Sequence, residues 1–497
     1  MGFDDLEDAT FLAQQVKTGA VSPDELLDEA LARVAAFNPQ INAVTLLQED
    51  TARAAIRAGL PDGPFRGVPF LLKDLGAEAI DFPSHSGSNL TRDRRYTYDS
   101  EIYKRMRATG VVTFGRTTSP EGGIGAATEA AVYGGPTRNP WDITRTSGGS
   151  SGGAGAAVAA GIIPMAHGSD GGGSVRIPGS SCGLFGFKAT RARLPDGPMA
   201  GEGWAGMAID GFLTRSVRDN ATMLDACAGP DLGAPYAAPA METTYSAAIA
   251  RPPRRLRIGV CDTTFTGTPI DKACQSAVHQ TAKTLEGLGH HIIPFCPKAD
   301  HIGMMHAWTK IVACGTANWI EAKLKSLGRD LQQDDVQGIA RGALAFAANI
   351  SGADYIGAVD KIHAYGREMA AAFADVDIIL SATLAEPPAL VGRLSHDRED
   401  YENYRIGQGG VFEYSPFCAA FNASGQPAAT LPLHWTDDGL PVGVHLAAAY
   451  GADANLIALC AELEQAAPWH ARRPNMLSEY LAFAQNQPQS KVQRIND

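Results

Sequence analysis

Apolar residues recur at helical spacing from Leu26 and Leu27 through Ala30 and Leu31 to Val34. They follow directly on Ser22-Pro23-Asp24-Glu25, which offers a serine cap and a proline at the first helical position. The pattern predicts an N-terminal helical segment within residues 1–60. The period then changes. Gly67-Val68-Pro69-Phe70-Leu71-Leu72-Lys73-Asp74 is a short apolar run closed by charge, and Val111-Val112-Thr113-Phe114-Gly115 is a β-branched run after a helix over 103–108. Both read as buried strands. A helix through Met223, Leu224 and Cys227 is expected after Ser216-Val217-Arg218-Asp219, and 230–253, rich in alanine and proline, reads as an excursion.

Leu256-Arg257-Ile258-Gly259-Val260, a helix over 277–288 and His291-Ile292-Ile293-Pro294 come in βαβ order, which predicts parallel pairing. Residues 300–375 read as mainly helical, and further strands are expected at 376–380, 429–432 and 442–446. No linker divides the strands between residues 67 and 446, so one large α/β domain over 1–497 is expected. Residues 148–186 hold thirteen glycines in 39 positions. Alanine, valine, isoleucine and phenylalanine are interleaved and charges are few, so the segment is not a flexible linker.

Composition narrows the function. With 497 residues, 45% of them apolar, the chain can bury a large core, and a formal charge of −12 disfavours nucleic-acid backbones and anionic membranes as partners. A small neutral substrate is expected. The acidic start Met1-Gly2-Phe3-Asp4-Asp5-Leu6 lacks the order of a signal peptide. The most apolar stretch, 154–166, is too short and too glycine-rich to span a bilayer. A cytoplasmic location without a membrane anchor is the expectation. Eight cysteines are scattered with no C-x-x-C pair, so reduced, mostly buried thiols are expected, with no metal site and no organic cofactor.

Candidate chemistry lies in Ser147-Gly148-Gly149-Ser150-Ser151-Gly152-Gly153 and in Asp170-Gly171-Gly172-Gly173-Ser174-Val175-Arg176, which place two serines in glycine nests 24 residues apart. Successive glycines let N–H groups converge on one concavity, where an oxyanion is stabilised. Gly171, Gly172 and Gly173 before Ser174, with Ser174 itself, are the candidate donors. A serine hydroxyl needs a base. Lys73 qualifies because burial at the end of an apolar run lowers a lysine pKa, while strand alternation sends Asp74 to the other side. Gly148-Gly149-Ser150-Ser151-Gly152 also fits a G-x-S-x-G elbow, but no apolar strand precedes it.

Together with Gly67-Val68-Pro69 before Lys73-Asp74, and Cys182-Gly183-Leu184-Phe185-Gly186-Phe187-Lys188 after the second nest, these motifs resemble the amidase signature family over 66–190. The resemblance implies a large mixed twisted β-sheet flanked by helices on both faces, with catalytic motifs in 66–225 and a substrate pocket built from the helices of 300–375. It implies a triad in which Ser174 attacks, Ser150 relays the proton through a cis peptide after Gly149, and Lys73 is the final base. The family often carries an aliphatic residue where Gly171 stands, so a looser backbone is expected there. Thr137-Arg138-Asn139-Pro140-Trp141, Ala448-Ala449-Tyr450-Gly451 and Ala467-Pro468-Trp469 make the chain most similar, within the family, to 6-aminohexanoate cyclic-dimer hydrolases.

Blander readings stand beside these. Ser150 and Ser174 also suit helix caps, Lys73 an ion-paired strand end, and His167 a satisfied core histidine. Asp170 and Arg176 read as a structural pair, and Cys182 as a core thiol. Cys314 is a candidate substrate contact, because the resemblance places its helix along the acyl pocket. The expected activity is hydrolysis of a small linear or cyclic amide. The alternatives are an aryl acylamidase or carbamate hydrolase, the glutaminase subunit of a tRNA-dependent amidotransferase, and a non-catalytic binding protein. A homodimer is the expected assembly if there is one.

Overall fold

The computed structural model describes residues 8–486. Strands β1 (Val44–Thr45), β2 (Pro69–Lys73) and β3 (Val112–Thr117) come first, then a small hairpin of β4 (Arg138–Asn139) and β5 (Asp142–Thr146). Next are β6 (Met165–Asp170), β7 (Phe185–Lys188), β8 (Ile209–Thr214), β9 (Arg257–Val260) and β10 (His291–Pro294), followed by β11 (Ile378–Ala382), β12 (Ala428–Trp435) and β13 (Pro441–Ala448). All but the hairpin form one mixed sheet in the order β1-β3-β2-β6-β8-β7-β12-β13-β11-β9-β10. β3, β2 and β6 run parallel, as do β11, β9 and β10, while the strands between pair antiparallel. Every residue of β2, β3 and β13 is buried, so side chains on both faces of the sheet are covered.

The helix Pro23–Ile41 begins with a reciprocal capping box between Ser22 and Glu25 and turns Leu26, Leu27, Ala30 and Val34 inward, as their spacing predicts. The βαβ unit is present, with the helix Lys272–Gly287 between β9 and β10. Helices His301–Leu327, Gly338–Ala347 and Gly352–Ala372 fill the segment expected to be helical. β6, β7 and β8 fall outside the strands expected from the sequence. Their glycines, such as Gly186 and Gly211, lie in tight places: a Cβ on Gly211 would meet the Phe187 carbonyl at 3.1 Å and one on Gly186 the Val175 carbonyl at 3.0 Å, so a side chain would force its neighbour to give. The helix Gly152–Ala159 is likewise buried all round, which removes the amphipathic period.

All eight cysteines are free, and six are buried. The sulfurs of Cys261 and Cys296 approach to 2.7 Å. Among the described residues no helix is long and apolar enough to cross a membrane.

Candidate active site

β2 and β6 lie side by side, so the end of one presents Lys73 beside the stretch that runs from the other into the second nest. Lys73 is wholly buried, with Nζ 2.7 Å from Ser150 Oγ and 2.9 Å from Ser169 Oγ. Burial pulls its pKa from 10.5 down to about 7, against the opposing attraction of Asp210 and Asp170. About half of the amines are then neutral at pH 7 and can accept a proton. Asp74 faces away, accepting the His85 N–H at 2.8 Å and meeting the Tyr133 hydroxyl.

The Gly149–Ser150 peptide is cis. The Ser151 N–H donates to the Ser174 carbonyl at 3.1 Å, which holds the two serine segments side by side. Among the described residues no hydrogen bond joins the Ser174 hydroxyl to Ser150. The structure thus brings Lys73 and Ser150 into direct contact and ties Ser174 to them through the backbone.

Asp170 organises the second nest. Its carboxylate accepts the N–H groups of Gly173 at 2.8 Å and Val175 at 3.2 Å, and pairs with Arg176 at 2.8 and 2.9 Å. Burial alone would raise its pKa, but Arg176 and Asn422 hold the carboxyl well below the usual range. Arg176 spends its remaining donors on the Cys418 carbonyl, His445 and Asn422, so it is a structural ion-pair partner closed to substrate. The Gly173 amide departs from its expected part as a donor, because Asp170 takes it. Among the described residues, the N–H groups of Gly171, Gly172 and Ser174 have no protein acceptor.

At Gly171, where a looser backbone is expected, two indoles crowd the glycine. The Trp308 indole N–H donates to its carbonyl at 3.2 Å, and the Trp204 ring lies where its side chain would be. The sequence reading missed Trp204. The signal available was a large aromatic residue in the glycine-flanked Gly203-Trp204-Ala205-Gly206. His167 is a satisfied core residue, its Nδ1 accepting the Lys73 N–H at 3.2 Å and its Nε2 facing Asp210 at 2.9 Å. Cys182 is buried, donating to the Ser147 carbonyl at 3.4 Å, and burial pushes its thiol pKa up. Cys314 is half-exposed on His301–Leu327, one residue from Gly315, against which Trp204 also packs.

A buried amine with a lowered pKa, two serines and a cluster of free amides suit acyl transfer from an amide. The family model Amidase matches residues 25–457. The chain belongs to the amidase signature family. It is a hydrolase of carbon–nitrogen bonds other than peptide bonds. Among its relatives, the 6-aminohexanoate-cyclic-dimer hydrolase of Paenarthrobacter ureafaciens is 37% identical over 95% of this chain and 97% of its own. A solved structure of 6-aminohexanoate cyclic dimer hydrolase complexed with substrate superposes with a TM-score of 0.89 at 36% identity, covering 95% of this chain and all of the other. A bacterial aryl acylamidase of the same family superposes at 0.83 and 27% identity, covering 97% of this chain and 99% of its own.

Proposed function

We propose that this amidase cleaves a small, mostly neutral linear or cyclic amide through a seryl acyl-enzyme, with 6-aminohexanoate cyclic dimer as the first substrate to try. The observation that carries the reading is the wholly buried Lys73 amine, with a pKa near 7, against the Ser150 hydroxyl beside the Ser174 nest. Neutral Lys73 takes the proton of Ser150 as Ser150 takes that of Ser174. The freed Ser174 oxygen bonds to the carbonyl carbon, and the carbonyl π pair moves onto oxygen among the amides of Gly171, Gly172 and Ser174. One such donor is worth about 3 kcal/mol of barrier.

Collapse breaks the C–N bond, and the Lys73 ammonium returns its proton through Ser150 to the departing nitrogen. Water then attacks the ester, deprotonated along the same path, and frees the acid and Ser174. Cys314, on the helix against which Trp204 packs, is assigned as a substrate contact. The family match over most of the chain supports reading it as one amidase signature domain, here assigned to the cytoplasm and to work without metal or cofactor. Size-exclusion chromatography with light scattering decides between monomer and homodimer.

The test is a hydrolysis panel of a cyclic lactam dimer, an anilide, a carbamate and a primary amide, run on the parent and on Ser174→Ala. We expect the lactam dimer to be the best substrate and Ser174→Ala to lose at least about 10⁴-fold in kcat. A variant as active as the parent ends the reading. The likeness to an aryl acylamidase favours one rival within the same chemistry, and preference for the anilide would select it. Ammonia release from glutamine beside a copurifying subunit would select the amidotransferase reading. A chain that no fluorophosphonate labels would be a binding protein.

A further inference from the structure

We infer that Trp204 is a positioning residue for the hydrolysis proposed above, its indole standing in for the missing side chain of Gly171 and holding the first free donor of the nest in place. The inference rests on that reading of the site. A Cβ built on Gly171 would lie 2.6 Å from Trp204 Cζ3 and 2.7 Å from Cε3, and one built on Gly315 would lie 2.9 Å from Trp204 Cδ1. The ring is therefore clamped between the nest and the helix His301–Leu327. Trp308 completes the wall. Its ring meets Trp204 edge-on at 5.8 Å between centroids, a Cβ on Gly172 would lie 2.8 Å from its Cζ2, and its N–H holds the Gly171 carbonyl. Each of the two glycines is thus faced by one indole, and among the described residues neither N–H group has a protein acceptor.

The loop that delivers Trp204 is built at a conformational cost. Trp204 and Ala205 have φ of 50° and 53°, and Gly206 follows at 76°. Left-handed backbone is uncommon for a bulky residue and persists where the surroundings enforce it, often at functional sites. Here a tight turn does so, with Ala208 N–H donating to the Gly203 carbonyl at 3.1 Å and Met207 N–H to the Trp204 carbonyl at 3.2 Å. Trp308 is buried, whereas Trp204 remains partly exposed. Packing alone would not require a strained tryptophan over an unoccupied donor.

The test is a cycle of parent, Gly171→Ala, Trp204→Ala and the double variant, each assayed for kcat, KM and melting temperature. We expect Gly171→Ala to lose about 10²-fold in kcat, because the new methyl displaces either the indole or the donor. Trp204→Ala should lose about tenfold in kcat with KM changed less than about threefold, and Trp204→Phe should retain most of the activity. The double variant should recover at least about tenfold over Gly171→Ala and melt above it. Unchanged kcat in Trp204→Ala, or a double variant no better than Gly171→Ala in both kcat and melting temperature, overturns the inference. A parent inactive on every amide overturns the amidase reading instead, and the melting cycle then still decides whether the indole fills the Gly171 space.

Discussion

Lys73 closes β2 and Lys188 closes β7, each after an apolar run, each buried, and each with its pKa pulled from 10.5 to about 7 by burial. Asp170 attracts both. Their partners differ. The Lys73 amine meets two hydroxyls, Ser150 and Ser169, whereas that of Lys188 donates to the Ala189 carbonyl at 2.9 Å and is further repelled by Arg176 and Arg191. A carbonyl has no proton to give, so Lys188 has nothing to deprotonate. The contrast teaches that a lowered pKa marks burial, and that the group within hydrogen-bond reach decides whether a base has work to do.

The largest expected break between the two is in turnover. Lys73→Met should lose on the order of 10³-fold or more in kcat while keeping the fold, and Lys188→Met should stay within about threefold of the parent. Steady-state kinetics with circular dichroism decides it, and equal losses would put both lysines in the proton path. The pH profile sharpens the point. Activity needs neutral Lys73, so kcat/KM should climb with pH and level off above a midpoint near 7, and Lys188→Met should leave that midpoint in place.

Stability should not tell the two apart. Each lysine stays protonated in the unfolded chain up to about pH 10.5 and loses its proton near 7 in the folded one. Across that window the unfolded state binds the extra proton, so stability rises with pH. Either substitution should flatten the rise by one proton's worth, as urea titrations at pH 7 and 10 would record. A flattened curve in only one variant would show that the other lysine titrates normally.

The same pair shows what the sequence makes legible. Lys188 obeys the rule that singles out Lys73, a lysine at the end of an apolar run, and only the motifs around Ser150 and Ser174 separate them. The N-terminal helix and the βαβ unit are readable because their periods are clean. β6 to β8, which carry Ser169 and Asp210 to the site, are not, because glycine at close strand contacts erases the alternation. The two tryptophans over the nest come from residues 204 and 308, far from it in sequence, and even the glycine-flanked Trp204 carries no local sign of what it packs against.

Asp170 attracts both lysines as a charge, so changing it tests the comparison from the other side. Asp170→Asn leaves the buried Arg176 without its counter-charge and should cost about 3 to 5 kcal/mol of stability by urea denaturation. It also removes an attraction that holds the Lys73 proton. The residual activity should therefore have its midpoint below that of the parent, whereas a midpoint moved upward would mean that Asp170 does not act on Lys73 as a charge.

The smallest effect is expected at Ser169. It gives the Lys73 amine a second hydroxyl at 2.9 Å, longer than the 2.7 Å contact to Ser150, and among the described residues Lys188 meets a carbonyl and no hydroxyl. Ser169→Ala removes one neutral hydrogen bond of about 1 kcal/mol, which corresponds to about a fivefold loss in kcat if the bond serves only to aim the amine. The Lys73 stem stays buried in β2 and Ser150 stays in reach, so the midpoint near pH 7 should hold. A loss beyond about 10²-fold would instead make Ser169 a station on the proton path. No loss at all would mean that the strand end alone aims the amine, and the two lysines would then differ by a single hydroxyl, that of Ser150.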